Sequence, residues 1–193
     1  TFASSNSYLL NGASLDLRGN VVNNSTNAQI IVLPVALDNG SRAVNAVSND
    51  MVLSGAIAES GGSWGINKLG TNRLTLAGSE SNTYSGSTTV VGPGCLQLGK
   101  ADGVTAVPGD LVLIGSPNPY SLVYALSNGQ FGADCVVKFL PANYGILELL
   151  GTTQEVAGIS CEGSYGIVEN RQFGPARGDD GLLVLGGDGS YAY

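Results

Sequence analysis

Short apolar runs recur along the whole chain, and each is stopped by turn residues within a few positions. Leu15-Asp16-Leu17, Leu74-Thr75-Leu76 and Cys95-Leu96-Gln97-Leu98 alternate, which puts their apolar side chains on one face with a period of two. Thr88-Thr89-Val90-Val91 nearly does so. The intervening residues are glycine, asparagine, serine and proline, among them Asn11-Gly12, Asp38-Asn39-Gly40, Gly78-Ser79 with Asn82, and Gly92-Pro93-Gly94. Glycine reaches positive φ without a Cβ clash, and asparagine tolerates it better than most residues. A chain that makes a three- to five-residue strand, turns and repeats leaves no room for helices. The pattern predicts an all-β protein.

Further runs mark strands elsewhere. They are Tyr8-Leu9-Leu10, Val21-Val22, Ile30-Ile31-Val32-Leu33, Val35-Ala36-Leu37, residues 43–47 and Met51-Val52-Leu53. Beyond the centre come residues 111–114, 122–126, 136–140, 145–151, 152–160, 166–170 and 181–186. Pro34 lacks an N–H and cannot sit inside a ladder, so it predicts a bend between two faces. Pro117-Asn118-Pro119 and Pro141 end runs in the same way. Strands this short and frequent suit a solenoid with three strands per coil and roughly 20–25 residues per coil. About eight coils at ~4.8 Å each would give a rod ~40 Å long. An antiparallel sandwich would want longer strands and Asn-Gly hairpins with cleanly alternating flanks. Asn11-Gly12, Asn39-Gly40 and Asn128-Gly129 have short, uneven flanks.

The centre of the chain carries a more specific pattern. Lys68, Leu69 and Gly70 are followed by Leu74, Leu76 and Gly78, then by Asn82-Thr83-Tyr84, Gly86, Thr88-Thr89-Val90, Gly94, Leu96, Leu98 and Gly99. Leu53 to Ile57 and Ser60-Gly61-Gly62 lead into it. Residues 53–99 resemble the autotransporter passenger-associated β-strand repeat, and residues 145–185 resemble it more loosely. Two departures stand out: Ser63-Trp64-Gly65 in place of a short apolar link, and the longer turn Ser79-Glu80-Ser81. The resemblance implies a single right-handed parallel β-helix over residues 1–193, exported and displayed outside a bacterial cell. A start at Thr1 fits a processed chain or a piece of a longer one.

Charge narrows the function classes. The chain has 8 basic and 15 acidic residues, for a net charge of −7. That argues against nucleic acid and against an anionic membrane surface, both of which need clustered Lys and Arg. No apolar run approaches the ~20 residues of a spanning helix. There is no histidine, so the usual Ser-His-Asp and Cys-His relays cannot be built. Phosphate-loop and dinucleotide fingerprints are missing, and no cofactor is expected.

The remaining chemistry has more than one reading. Some β-helices degrade polysaccharides, and such hydrolysis needs two carboxyls ~5–10 Å apart. Asp179-Asp180 is the only adjacent acidic pair, within the polar stretch 171–180. Gly186-Gly187-Asp188-Gly189 faintly resembles a calcium-binding repeat but occurs once. Cys95, Cys135 and Cys161 are buried hydrophobes, unless Cys135 and Cys161, about one coil apart, form a disulfide. Asn23 and Asn24 begin Asn-x-Ser/Thr triplets that serve as turns or as glycan acceptors. Tyr84, Tyr120, Tyr124, Tyr144, Tyr165, Tyr191 and Tyr193 form either a sugar platform or a stacked ladder.

No catalytic, cofactor or metal residue is assigned. The expected role is a non-catalytic extracellular structural protein. Its partners would be further copies stacked end to end, or the flanking coils of a longer chain. The alternatives are an adhesin for glycans or host surfaces and, last, a polysaccharide-degrading enzyme.

Overall fold

A computed structural model describes residues 1–115, 120–141, 144–163, 165–171 and 180–186. Every element among them is a β-strand, and every strand pairing is parallel. The chain winds as a parallel β-solenoid of about seven turns.

The first face holds eight strands: β1 (Leu9–Leu10), β4 (Gln29–Ile31), β7 (Met51–Leu53), β10 (Arg73–Gly78), β12 (Gly94–Lys100), β14 (Ser121–Ala125), β16 (Tyr144–Glu148) and β19 (Tyr165–Glu169). The second holds seven: β3 (Val21–Asn23), β6 (Arg42–Ala46), β9 (Ile66–Leu69), β11 (Thr88–Val91), β13 (Leu111–Ile114), β15 (Val136–Leu140) and β18 (Gly158–Cys161). The third face carries strands only towards its two ends: β2 (Leu15–Leu17), β5 (Val35–Asp38) and β8 (Ile57–Ser60), and then β17 (Thr153–Val156) with β20 (Leu182–Leu185).

One outward column runs the length of the first face: Leu9, Ile30, Val52, Thr75, Gln97, Tyr124, Glu148, Glu169. Its steps are 21, 22, 23, 22, 27, 24 and 21 residues. The inward columns beside it build the core. Met51, Leu74, Leu96, Val123 and Leu147 stack on one another and are fully buried. Each coil thus covers the apolar stripe of its neighbours, as a solenoid requires.

The expectation of three strands in every coil holds only near the ends. In the middle coils the third face is crossed by extended segments around residues 82–84, 105–107 and 130–132. Backbone rungs persist there, such as Asn82 N–H to the Thr105 carbonyl at 2.9 Å and Thr83 N–H to the Ile57 carbonyl at 2.8 Å, and side chains add to them. Asn82 Oδ1 accepts from the Ile57 N–H at 2.9 Å, and its Nδ2 donates to the Ala106 carbonyl at 2.7 Å. It therefore joins the coil before it to the coil after. Gln130 Oε1 accepts from the Lys100 N–H at 3.0 Å, and Gln154 Oε1 accepts from the Gln130 N–H at 2.8 Å.

Residues of the central pattern have physical roles. Tyr84 is fully buried, with its hydroxyl 2.5 Å from Thr88 Oγ1. Burial pushes the Tyr84 phenol well above its usual range. Gly78 sits at φ 97°, and a Cβ there would lie 2.0 Å from the Ser54 carbonyl oxygen. Pro34 lies between β4 and β5, at the predicted bend. Ser63-Trp64-Gly65 forms the corner between β8 and β9, where the Trp64 N–H donates to Glu59 Oε2 at 2.7 Å.

Candidate functional site

The two ends of the rod differ from its flanks. At the first end, β1 and β2 each have one hydrogen-bonded neighbour among the described residues. Alternate N–H and C=O groups of a parallel strand point to opposite sides, so an end strand presents a row of unpaired backbone groups. β3 is partly covered, because Phe2 bridges to Asn23 beside it. At the other end β18, β19 and β20 each have one neighbour among the described residues.

Burial follows the same logic. Val156 is 0 % exposed, whereas Leu185, in register with it on β20, is 49 % exposed. Leu37 is buried, whereas Leu17, in register with it on β2, is half-buried. These inward positions end in side chains with nothing stacked beyond them among the described residues. Of the ten large exposed apolar side chains described, six belong to the end coils: Tyr8, Leu9, Tyr165, Leu182, Val184 and Leu185.

Three features stand out on the flanks. Tyr120, Tyr144 and Tyr165 form an outward row on consecutive coils. Tyr144 and Tyr165 stack with ring centroids 5.1 Å apart, and Tyr120 meets Tyr144 edge-on at 5.5 Å. These three follow the ladder alternative. Tyr84 is in the core and Tyr124 is half-buried, while Tyr191 and Tyr193 lie outside the described residues. A shallow open depression of about 360 Å³ is lined by Arg18, Asp38, Asn39, Arg42 and Gly61. Both arginines there are engaged: Arg18 Nε pairs with Asp38 at 2.6 Å, and Arg42 Nε donates to the Leu17 carbonyl at 2.9 Å. The third feature is a pair of carboxyls, Glu148 and Glu169, in register on β16 and β19 with Arg171 beside them.

The Glu148–Glu169 pair was not among the sequence candidates. Its members are 21 residues apart, and only the coil register brings them together. Of the acidic pair that was a candidate, Asp179 lies outside the described residues, as does Asp188 of the single calcium-like motif. Among the described residues no three His, Cys, Asp or Glu side chains converge as metal ligands.

Two lysines are buried in the body of the rod. Lys68 occupies an inward column between Val44 and Val90, and is 0 % exposed. Its ammonium donates to the Leu69 and Gly70 carbonyls at 3.0 and 2.6 Å. Lys100 donates to the Ala77 and Glu80 carbonyls at 2.9 and 2.7 Å. Desolvation pulls each ammonium down to about 8.

None of the three cysteines forms a disulfide. Cys161 is in register with Phe139, while Cys135 precedes that strand, so the coil spacing does not set the two thiols opposite each other. Burial pushes the Cys95 and Cys135 thiols up to about 12, which makes them poor nucleophiles. Asn23 is buried and donates to the Asn27, Asn49 and Asp50 carbonyls at 3.1–3.2 Å. Its side chain is part of the turn, as the first of its two readings had it. Comparison of the chain with protein-family models, with curated proteins and with solved structures finds no match in any of the three.

Proposed function

We propose that this chain is a non-catalytic structural rod, displayed outside the cell, whose end coils are its interfaces, and that copies join head to tail. The observation that carries this reading is the concentration, among the described residues, of exposed apolar side chains and singly paired parallel strands on the first and last coils. Contact of this kind continues the sheets. β19 of one copy would extend onto β1 of the next, and β20 onto β2, each gaining backbone hydrogen bonds and burying the leucines that end the inward columns. A head-to-tail interface that does not close produces a filament. Display outside the cell rests on the resemblance of residues 53–99 to exported passenger repeats.

The test is electron microscopy with analytical ultracentrifugation across a concentration series. Unbranched fibres with an axial repeat of ~40 Å are expected, eight rungs of the first face at ~4.8 Å each. A chain that stays monomeric at every concentration overturns the reading. Leu185→Lys should abolish assembly while leaving the far-ultraviolet β signal unchanged. A charge at an interface core blocks association, and an exposed leucine adds little to the fold.

A second reading, adhesion to glycans, is favoured by the outward row of Tyr120, Tyr144 and Tyr165. It expects glycan-array binding that Tyr165→Ala removes.

A further inference from the structure

The pair on β16 and β19 has an electrostatic problem that the fold must solve. Glu148 is 2 % exposed, and the Glu169 side chain is 20 % exposed. They sit directly opposite each other in a parallel ladder, one rung of ~4.8 Å apart. One cation serves both among the described residues: Arg171 Nε lies 2.8 Å from Glu169 Oε2, and the Arg171 backbone N–H donates to Glu148 Oε2 at 3.3 Å. Glu169 Oε1 is inaccessible to water and has no hydrogen-bond donor among the described residues. A buried acceptor in that position is costly. Two like charges at this range disfavour double ionisation.

The other described groups on this face do not supply the missing donor charge. Tyr124 precedes Glu148 in the same column, Gln97 precedes Tyr124, and Arg73 and Cys95 lie in the adjoining column. Arg73 is near Asp50, at 3.9 Å.

We propose that Glu148 and Glu169 share one proton, and that this proton latches the last rung of the first sheet to the rod. With Glu148 as the neutral carboxyl, its O–H supplies a donor for Glu169 Oε1, and Glu169 keeps its charge for Arg171. Loss of the proton to water leaves two carboxylates facing each other across the β16–β19 rung with Arg171 as their common cation. Desolvation, with the Glu169 charge adding to it, raises the Glu148 pKa above its ordinary 4.5, in accord with the geometry.

The sign follows from linkage. A carboxyl with a raised pKa in the docked state is protonated there more readily than in the undocked strand. Docking is therefore strongest in acid and weakens as pH rises from about 4.5 through the docked-state value. The rung concerned is an end strand, so the latch controls whether the rod presents that edge. The inference does not depend on end-to-end assembly and is tested without it.

The experiment is hydrogen exchange of the 165–169 backbone amides from about pH 4 to 8, corrected for intrinsic rates. A Glu-selective carbon-13 carboxyl titration of the same protein accompanies it. Expected are at least a tenfold fall in protection of this rung across the range, unchanged protection of β7 and β10, and a Glu148 carboxyl that titrates above 4.5. Glu148→Gln should remove the pH dependence, because an amide donates to Glu169 Oε1 with no proton to lose. If that variant does not fold, the wild-type titration decides alone. A Glu148 carboxyl titrating at or below 4.5 overturns the proposal. So does a flat wild-type profile, or a wild-type slope retained in Glu148→Gln.

Discussion

Single residues in this solenoid do work that their type conceals. Lys68 stands in a core column where valine stands on both neighbouring coils, and its ammonium caps two carbonyls of the adjoining turn. Replacing it with methionine keeps the stem packed and strands those acceptors, so Lys68→Met should lower stability by ~1–3 kcal/mol in urea unfolding. The buried lysines also set a pH profile. A lysine whose pKa is lowered to about 8 in the fold binds its proton less readily there than in the unfolded chain, where the value is near 10.5. Stability is therefore gained as pH rises above 8. Cys95 and Cys135, raised from 9.0 to about 12, act in the opposite sense once the unfolded thiols ionise. Urea midpoints should rise from pH 8 to about 9 and then level off, and Lys68→Met should reduce the rise. A profile that falls between pH 8 and 9 contradicts the assignment of Lys68 and Lys100 as desolvated cations.

At the level of elements, the third face shows how side-chain amides reinforce a crossing that is not a regular strand. Asn82 bonds one coil through its oxygen and the next but one through its nitrogen. Its amide adds two bonds to the backbone rungs that Asn82 and Thr83 make there. Asn82→Ala removes both bonds and leaves the buried Ile57 N–H and Ala106 C=O without these partners. A loss of ~2–4 kcal/mol is expected in equilibrium unfolding, with faster hydrogen exchange at residues 57 and 106. Asn82→Asp keeps the acceptor and loses the donor, so it should fall between alanine and wild type at neutral pH only if the buried charge finds water. Gly78 marks a different constraint. Positive φ and the Ser54 carbonyl together exclude a Cβ, so Gly78→Ala should cost at least ~2 kcal/mol by the same measurement.

Across the whole molecule, burial rises from each end towards the middle, and the half-buried inward positions fall on the terminal rungs. This gives the end-coil substitution its expected specificity. Leu185→Lys should change association without changing the fold, whereas a lysine at Leu74 or Leu96 should prevent folding, because both side chains are 0 % exposed. The acid latch belongs to this scale as well, since it ties one end of the rod to solution pH through a contact made by two coils.

Much of the fold was legible in the alternating runs and the glycine and proline turns. β10, β11 and β12 fall where Leu74 to Leu98 place them, and Pro34 marks its corner. These features act locally, through side-chain period and φ, and need no distant partner to be read. β8 and β9 were not legible as strands. Ile57-Ala58-Glu59-Ser60 looks like a polar lead-in, and Ile66-Asn67-Lys68-Leu69 hides its alternation because the second inward side chain is a lysine. The number of strands per coil and the Glu148–Glu169 pair were equally out of reach. The sequence by itself determined that the chain is built of short strands, turns often and needs stacking to bury its stripes. Only the tertiary structure decided which lysines are buried, where an asparagine side chain bridges two coils, and which carboxyls meet. Those outcomes depend on coil register, a sum of turn lengths over more than twenty residues, and no local pattern carries that sum.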